Sequence, residues 1–209
     1  MAVLPKHKDS DSTRAKIIAG LERLITRDGF TGVGVNAVAR EAGVDKVLIY
    51  RYFGSMEGLL ECFASEKVLC PRIADIFDGM PDDAPLYEIA AHIVLEHAEA
   101  LLKSPLAQEL ACWELTEQNP LTRAFEKRME QNEMKALAER GIIPDEDLVT
   151  LVTVLLCGLQ FMILRVRNEN PIMNIDYSKP ENRKTVRRVI HTAMKAFFQL
   201  REGTISNED

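Results

Sequence analysis

Residues 29–60 read GFTGVGVNAVAREAGVDKVLIYRYFGSMEGLL, and this stretch decides the fold. Val38, Ala39 and Ala42 stand at the i, i+1, i+4 spacing of a buried helical stripe, which predicts a helix over Val35–Ala42. Gly43 stops it, because a glycine just past the last turn takes the left-handed conformation that reverses the chain. Asp45 is a strong helix N-cap type, so a second helix starts there. Its residues Val47-Leu48-Ile49-Tyr50-Arg51-Tyr52-Phe53 also have strand propensity. The capping pattern and the four-residue spacing of Ile49 and Phe53, which puts both on one inward face, favour the helix.

Lys46, Val47, Tyr50 and Arg51 then face outward. Cations, a tyrosine and a small apolar group suit phosphates, guanine edges and thymine methyls in a major groove, so the two helices have the layout of a helix-turn-helix. Upstream, Ser12-Thr13-Arg14 is read as opening a helix in which Ile17, Ile18, Leu21, Leu24 and Ile25 recur at helical spacing, with Asp28-Gly29 closing it. Phe30 and Phe53 are the expected large plugs of this three-helix head. At about 55 residues it lies near the lower size limit for an independent fold.

The pattern resembles the TetR family of bacterial repressors. The residues that carry the resemblance are Gly29-Phe30, Val35, Val38-Ala39, Ala42-Gly43-Val44, Ile49-Tyr50, Tyr52-Phe53 and the Glu57 to Leu60 run, covering about the first 60 residues. Departures are Gly34 where Ser or Thr usually caps, Asp45 for Ser, Val47-Leu48 for Gly-Thr, and Met56 for a lysine that often touches phosphate in that family. The resemblance implies an all-α chain of about nine helices. Residues 1–56 form the helix-turn-helix DNA-binding domain and 57–209 a helical effector-binding and dimerisation domain. Arg51 is the candidate base contact, Lys46 a base or phosphate contact, Tyr50 and Tyr52 phosphate contacts, and Val47 a partner for a thymine methyl. Asn36 and Arg14 are further phosphate candidates.

Charge is distributed in keeping with this. The chain of 209 residues has a net charge of −6. Residues 1–60 hold 9 basic and 7 acidic groups, leaving 17 basic and 25 acidic groups beyond them. The near-neutral head and acidic body let one end approach phosphates while the other is repelled, and the overall balance excludes a protein that coats nucleic acid indiscriminately.

Beyond residue 60, proline punctuates a helical body. Residues 57–78 read as one connecting helix bent at Pro71, and 79–85 as an acidic loop. Pro85 opens Leu86–Lys103, Ser104-Pro105 opens a helix through Glu117, Asn119-Pro120 one through Arg140, and Pro144-Asp145 another. Residues 148–164 are apolar nearly all round and so are expected to be buried on more than one side. As a membrane span this segment is short and interrupted by Thr150, Thr153, Gly158 and Gln160. Residues 180–201 carry Val186, Val189, Ile190, Ala193, Met194, Phe197 and Phe198 on one face, and the loop 170–179, with Met173 and Tyr177, joins the two helices. Two long apolar helices suit a four-helix contact with a second copy, and the resemblance implies the same homodimer.

The family's effector site lies inside the body. Polar or aromatic residues on apolar helices are the candidates to line it: His97, Trp113, Glu117, Phe125, Gln160 and Phe161. Each also has an ordinary reading as core or solvated surface. Met80, Met129, Met134 and Met162 are adaptable filler or pocket wall.

Enzyme chemistry has little to build on. No Ser or Cys stands in a nucleophile-elbow context, and no glycine-rich phosphate loop is present. His92 and Glu96, four apart, make only two ligands. Cysteines 62, 70, 112 and 157 lack metal-ligand spacing, and no secretory leader pattern appears, which points to a reducing cytoplasm. The expectation is therefore a dimeric, cytoplasmic repressor without a cofactor, bound to a palindromic double-stranded operator and released by a small molecule, with no membrane partner. The alternatives are a DNA-binding protein of the same fold controlled by a protein partner, or a helical small-molecule-binding protein or enzyme that no longer reads DNA.

Overall fold

The apolar spacing of the N-terminal segment produces a long helix, α1 (Lys6–Asp28), whose Ile17, Leu21 and Ile25 have no exposed surface. The computed structural model describes residues 6–66, 76–77, 80–81, 83–116, 123, 135–167 and 169–205, without the side chains of 6–10, 65 and 202–205. α1 starts six residues before the expected Ser12 opening. Residues 6–11 contain neither glycine nor proline, so nothing in them breaks the helix.

A single 3₁₀ turn (Phe30–Gly32) leads to α2 (Val35–Ala42), α3 (Lys46–Phe53) and α4 (Met56–Glu66). Then come α5 (Leu86–Lys103), α6 (Pro105–Thr116), α7 (Glu146–Arg167) and α8 (Pro180–Ile205). Among the described residues the only extended pairing is an isolated bridge between Ile172 and Ile175. The expected 57–78 helix begins as α4, but its second half, including Pro71, lies outside the described residues, as does most of the segment expected from Asn119-Pro120.

Contacts divide the chain into two units: 1–68 with 105–129, and 69–104 with 130–209. In the first unit α1 packs along α2 and α6, and α3 packs on α4. Ile49, Leu59 and Phe63 are fully buried there, whereas the expected plugs Phe30 and Phe53 are only half-buried. α1 and α2 approach closely at one point, where a Cβ on Gly20 would lie 2.8 Å from Ala42 Cβ. Glu41 of α2 ties the same pair of helices together by accepting from Arg23 Nε at 3.0 Å and Arg27 Nη1 at 2.8 Å.

In the second unit α5 packs against both α7 and α8. Its Ala91, Val94 and Leu95 are buried, and Ile89 and Ile93 join Ile76, Phe77 and Ala136 in a cluster. Asp145 caps α7 through the Leu148 amide, at 2.9 Å, and pairs with Arg201 of α8 at 2.6 Å. Hydrogen bonding from Arg201 holds the Asp145 carboxyl below its ordinary pKa. Tyr177, on the loop before α8, is almost wholly buried.

The expectation that residues 148–164 are covered on more than one side does not hold within a single chain. Leu148, Leu159, Ile163 and Leu164 are buried, while Val149, Val154, Cys157 and Phe161 are exposed. On α8, Ile190 and Met194 are buried but Val189 and Ala193 are exposed. One chain covers one stripe of each helix and leaves the other stripe open. By length and composition alone α7 would suffice to cross a membrane.

Gly20→Val forces α2 off α1, so overpacking should cost about 1–3 kcal/mol, read as an earlier urea midpoint. An unchanged midpoint would mean that α2 does not seat on α1 at Gly20.

Candidate DNA-reading surface

The turn between α2 and α3 is built as its residues dictate. Gly43 has φ 65°, in the left-handed region, and the Val44 amide donates back to Ala39 O at 3.0 Å while the Gly43 amide donates to Arg40 O at 3.2 Å. These bonds satisfy the last carbonyls of α2 and turn the chain in two residues. Asp45 then caps α3, its carboxylate accepting from the Val47 amide at 2.8 Å. Gly34, which stands before α2, provides no side-chain cap, as expected of a glycine there.

Capped this way, α3 buries Ile49 and presents the opposite side. Lys46 and Arg51 are exposed, Val47 is 62% exposed and Tyr50 50% exposed. Among the described residues neither Lys46 nor Arg51 has an acidic partner within ion-pair distance. Arg51 instead donates to the Tyr52 hydroxyl at 3.1 Å and lies over the Tyr52 ring, 5.0 Å from its centroid. A planar cation held over an aromatic face loses less rotamer freedom when it meets a base or phosphate. Asn36 is exposed in the first turn of α2.

Arg14, the further phosphate candidate, has partners inside the head. It pairs with Glu66, donates to Cys62 Sγ at 2.6 Å, and lies 5.5 Å from the centre of the Phe53 ring. The Glu66 hydrogen bond raises its pKa above the ordinary arginine value. Burial and Glu66 likewise raise the Cys62 thiol. In this structure Arg14 ties α1 to α4 and to the end of α3. Arg23 and Arg27 are similarly engaged by Glu41. Three of the head's arginines are thus committed internally, a division that the sequence does not disclose because the partners lie 14 to 52 residues away.

The expected effector-lining residues fall in different places. Trp113 is on α6 in the first unit and stacks on Phe30. His97, Gln160 and Phe161 are on α5 and α7 in the second unit, with Phe161 54% exposed. Glu117 and Phe125 lie outside the described residues. Among the described residues the buried His97 Nδ1 atom has no hydrogen-bond partner, and burial lowers the imidazole's pKa. Among the described residues no three His, Cys, Asp or Glu side chains gather as a metal set.

Known proteins carry the same arrangement. Residues 17–62 match the family model described as bacterial regulatory proteins, tetR family. The HTH-type transcriptional repressor SCO4008 of Streptomyces coelicolor is 28% identical over 144 residues, 66% of this chain and 71% of the relative. A TetR-family transcriptional regulator from Vibrio parahaemolyticus superposes with a TM-score of 0.56 at 24% identity, covering 87% of this chain and 97% of that one. The transcriptional regulator FadR from Bacillus subtilis, solved in complex with stearoyl-CoA, gives 0.58 at 17% identity, with coverage of 86% and 96%.

The buried imidazole predicts a pH dependence. Its folded-state pKa is lowered, so the unfolded chain binds the extra proton first and stability falls as pH drops through about 6.5. His97→Leu should flatten the difference in urea stability between pH 7.5 and 5.5. An equal loss in both proteins would refute a buried neutral His97.

Proposed function

We propose that this chain, which belongs to the TetR family of bacterial regulatory proteins and is a transcriptional regulator, is a dimeric repressor that a small molecule releases from a palindromic operator. The observation that carries this is the outward face of α3. Lys46 and Arg51 have no internal ion-pair partner among the described residues there, on a head in which Arg14, Arg23 and Arg27 are paired internally. Arg51 reads a base edge, Lys46 a base or phosphate, Val47 a thymine methyl, and Tyr50, Tyr52 and Asn36 anchor the backbone. Arg14 joins them only if it leaves Glu66, so its main part is to brace the head.

A second copy covers the open stripes of α7 and α8, including Val154, Phe161 and Val189, and so sets the distance between two heads. The effector domain, taken from residue 57 onward, works in the cytoplasm. It holds the effector near His97, with Gln160 as a further polar group. The ligand acts by binding more tightly to the conformation whose head spacing no longer fits DNA. The acyl-CoA bound by the Bacillus subtilis relative shows the kind of molecule such a body admits in that protein. No step of this function calls for catalysis or a cofactor.

Two measurements test it. On a duplex that the wild-type protein retains from a random pool, Arg51→Ala should weaken binding by about 1–3 kcal/mol and relax the preference at one base pair. Lys46→Ala should lower the affinity and, if Lys46 meets phosphate, also the salt slope. Unchanged binding in both variants would contradict the assignment of α3. Phe161→Glu, which places a charge on the open stripe of α7, should shift the protein to a monomer in sedimentation, and a persistent dimer would place the contact elsewhere.

A further inference from the structure

Trp113 is the chain's single tryptophan, and its ring contact joins two distant parts of the sequence. The indole stacks on Phe30 with ring centroids 3.6 Å apart and planes 18° from parallel. Phe30 opens the 3₁₀ turn between α1 and α2. Beside it Gly29 has φ 67°, and a Cβ there would stand 3.2 Å from a carboxylate oxygen of Glu109, one turn before Trp113 on α6. Leu106, Ala107, Leu110 and Ala111 of α6 are buried, and α6 packs along α1.

The turn needs this support. Residues 29–34 contain three glycines, at 29, 32 and 34, and glycine-rich backbone loses the most freedom on ordering. Neither the 3₁₀ turn nor α2 has a side-chain cap at its start. Among the described residues one backbone hydrogen bond, donated by the Val33 amide to Phe30 O at 3.0 Å, closes the turn. Phe30 is the only large side chain between α1 and Val33, and Trp113 covers its face.

We infer that Trp113 is a positioning residue for DNA reading: by stacking on Phe30 it fixes the 30–32 turn and with it the direction in which α2 and α3 leave α1. The inference rests on the proposed DNA-binding function and moves Trp113 from lining an effector to supporting the head. It also gives α6 a role in that function. In the chain α6 follows α5 with only Ser104 between them.

The test compares full-length wild type, Trp113→Ala and Trp113→Phe by two readouts. Hydrogen exchange read by mass spectrometry should quicken in peptides covering 29–44 in Trp113→Ala and return close to wild type in Trp113→Phe. In competition binding, Trp113→Ala should lower the ratio of affinities for the selected duplex and a scrambled duplex by about threefold to tenfold, the size of a lost aromatic pair. The salt slope should stay the same because no phosphate contact is removed. A mere loss of folded protein weakens both duplexes equally and leaves the ratio unchanged. Unchanged exchange in 29–44, or an unchanged ratio, would overturn the inference. If the wild-type protein retains no duplex at all, the repressor proposal fails, and exchange alone decides whether Trp113 holds the turn: faster exchange upholds it and unchanged exchange overturns it.

Discussion

The seating of α2 on α1 is the constraint on which the reading head depends. Gly20 lets the two backbones approach until a methyl group would collide with Ala42, and Glu41 closes the contact by bridging Arg23 and Arg27. The turn at Gly43 and the cap at Asp45 then carry α3 away at a fixed angle, because the αL glycine and the capped amide leave little freedom between the helices. Ile49 anchors α3 from below. The exposure of Lys46, Val47, Tyr50 and Arg51 follows from that geometry: once Ile49 is fixed inward, the helical period leaves these four no other side.

The head solves a problem of charge as well as shape. It has to be basic enough to meet phosphate, yet arginines left loose on every side would bind DNA in many orientations. Arg23 and Arg27 are taken up by Glu41, and Arg14 by Glu66, Cys62 and the Phe53 ring. These exposed or partly exposed pairs contribute little stability each. Their larger effect is to take three arginines out of competition with the cations of α3, the surface proposed to meet DNA.

Much of the head was legible in its sequence because its signals are local. The Ala42-Gly43-Val44-Asp45 run specifies a stop and a cap within four residues, and both helix boundaries fell where that chemistry put them. The body helices that open at proline, Leu86–Lys103 and Pro105–Thr116, were legible for the same reason. What escaped depends on partners distant in sequence. Arg14 finds Glu66 on α4, and Trp113, with readings both as core and as pocket lining, meets Phe30 from α6. Tyr177, on the loop before α8, is core, with Glu96 and Glu99 of α5 and Arg183 and Arg187 of α8 near enough to act on its hydroxyl. The apolar run of α7 gave its hydrophobicity correctly but not which stripe its own chain would cover, a matter of packing that periodicity cannot decide for a helix apolar on all sides.

The most direct test of the central claim, that the α3 face reads DNA as part of a two-fold dimer, is selection from a random double-stranded pool by the purified full-length protein at near-physiological salt. The account predicts a palindromic consensus whose half-sites lie about one helical turn or more apart. Absence of any enriched sequence, from protein shown to be folded and dimeric, would contradict it.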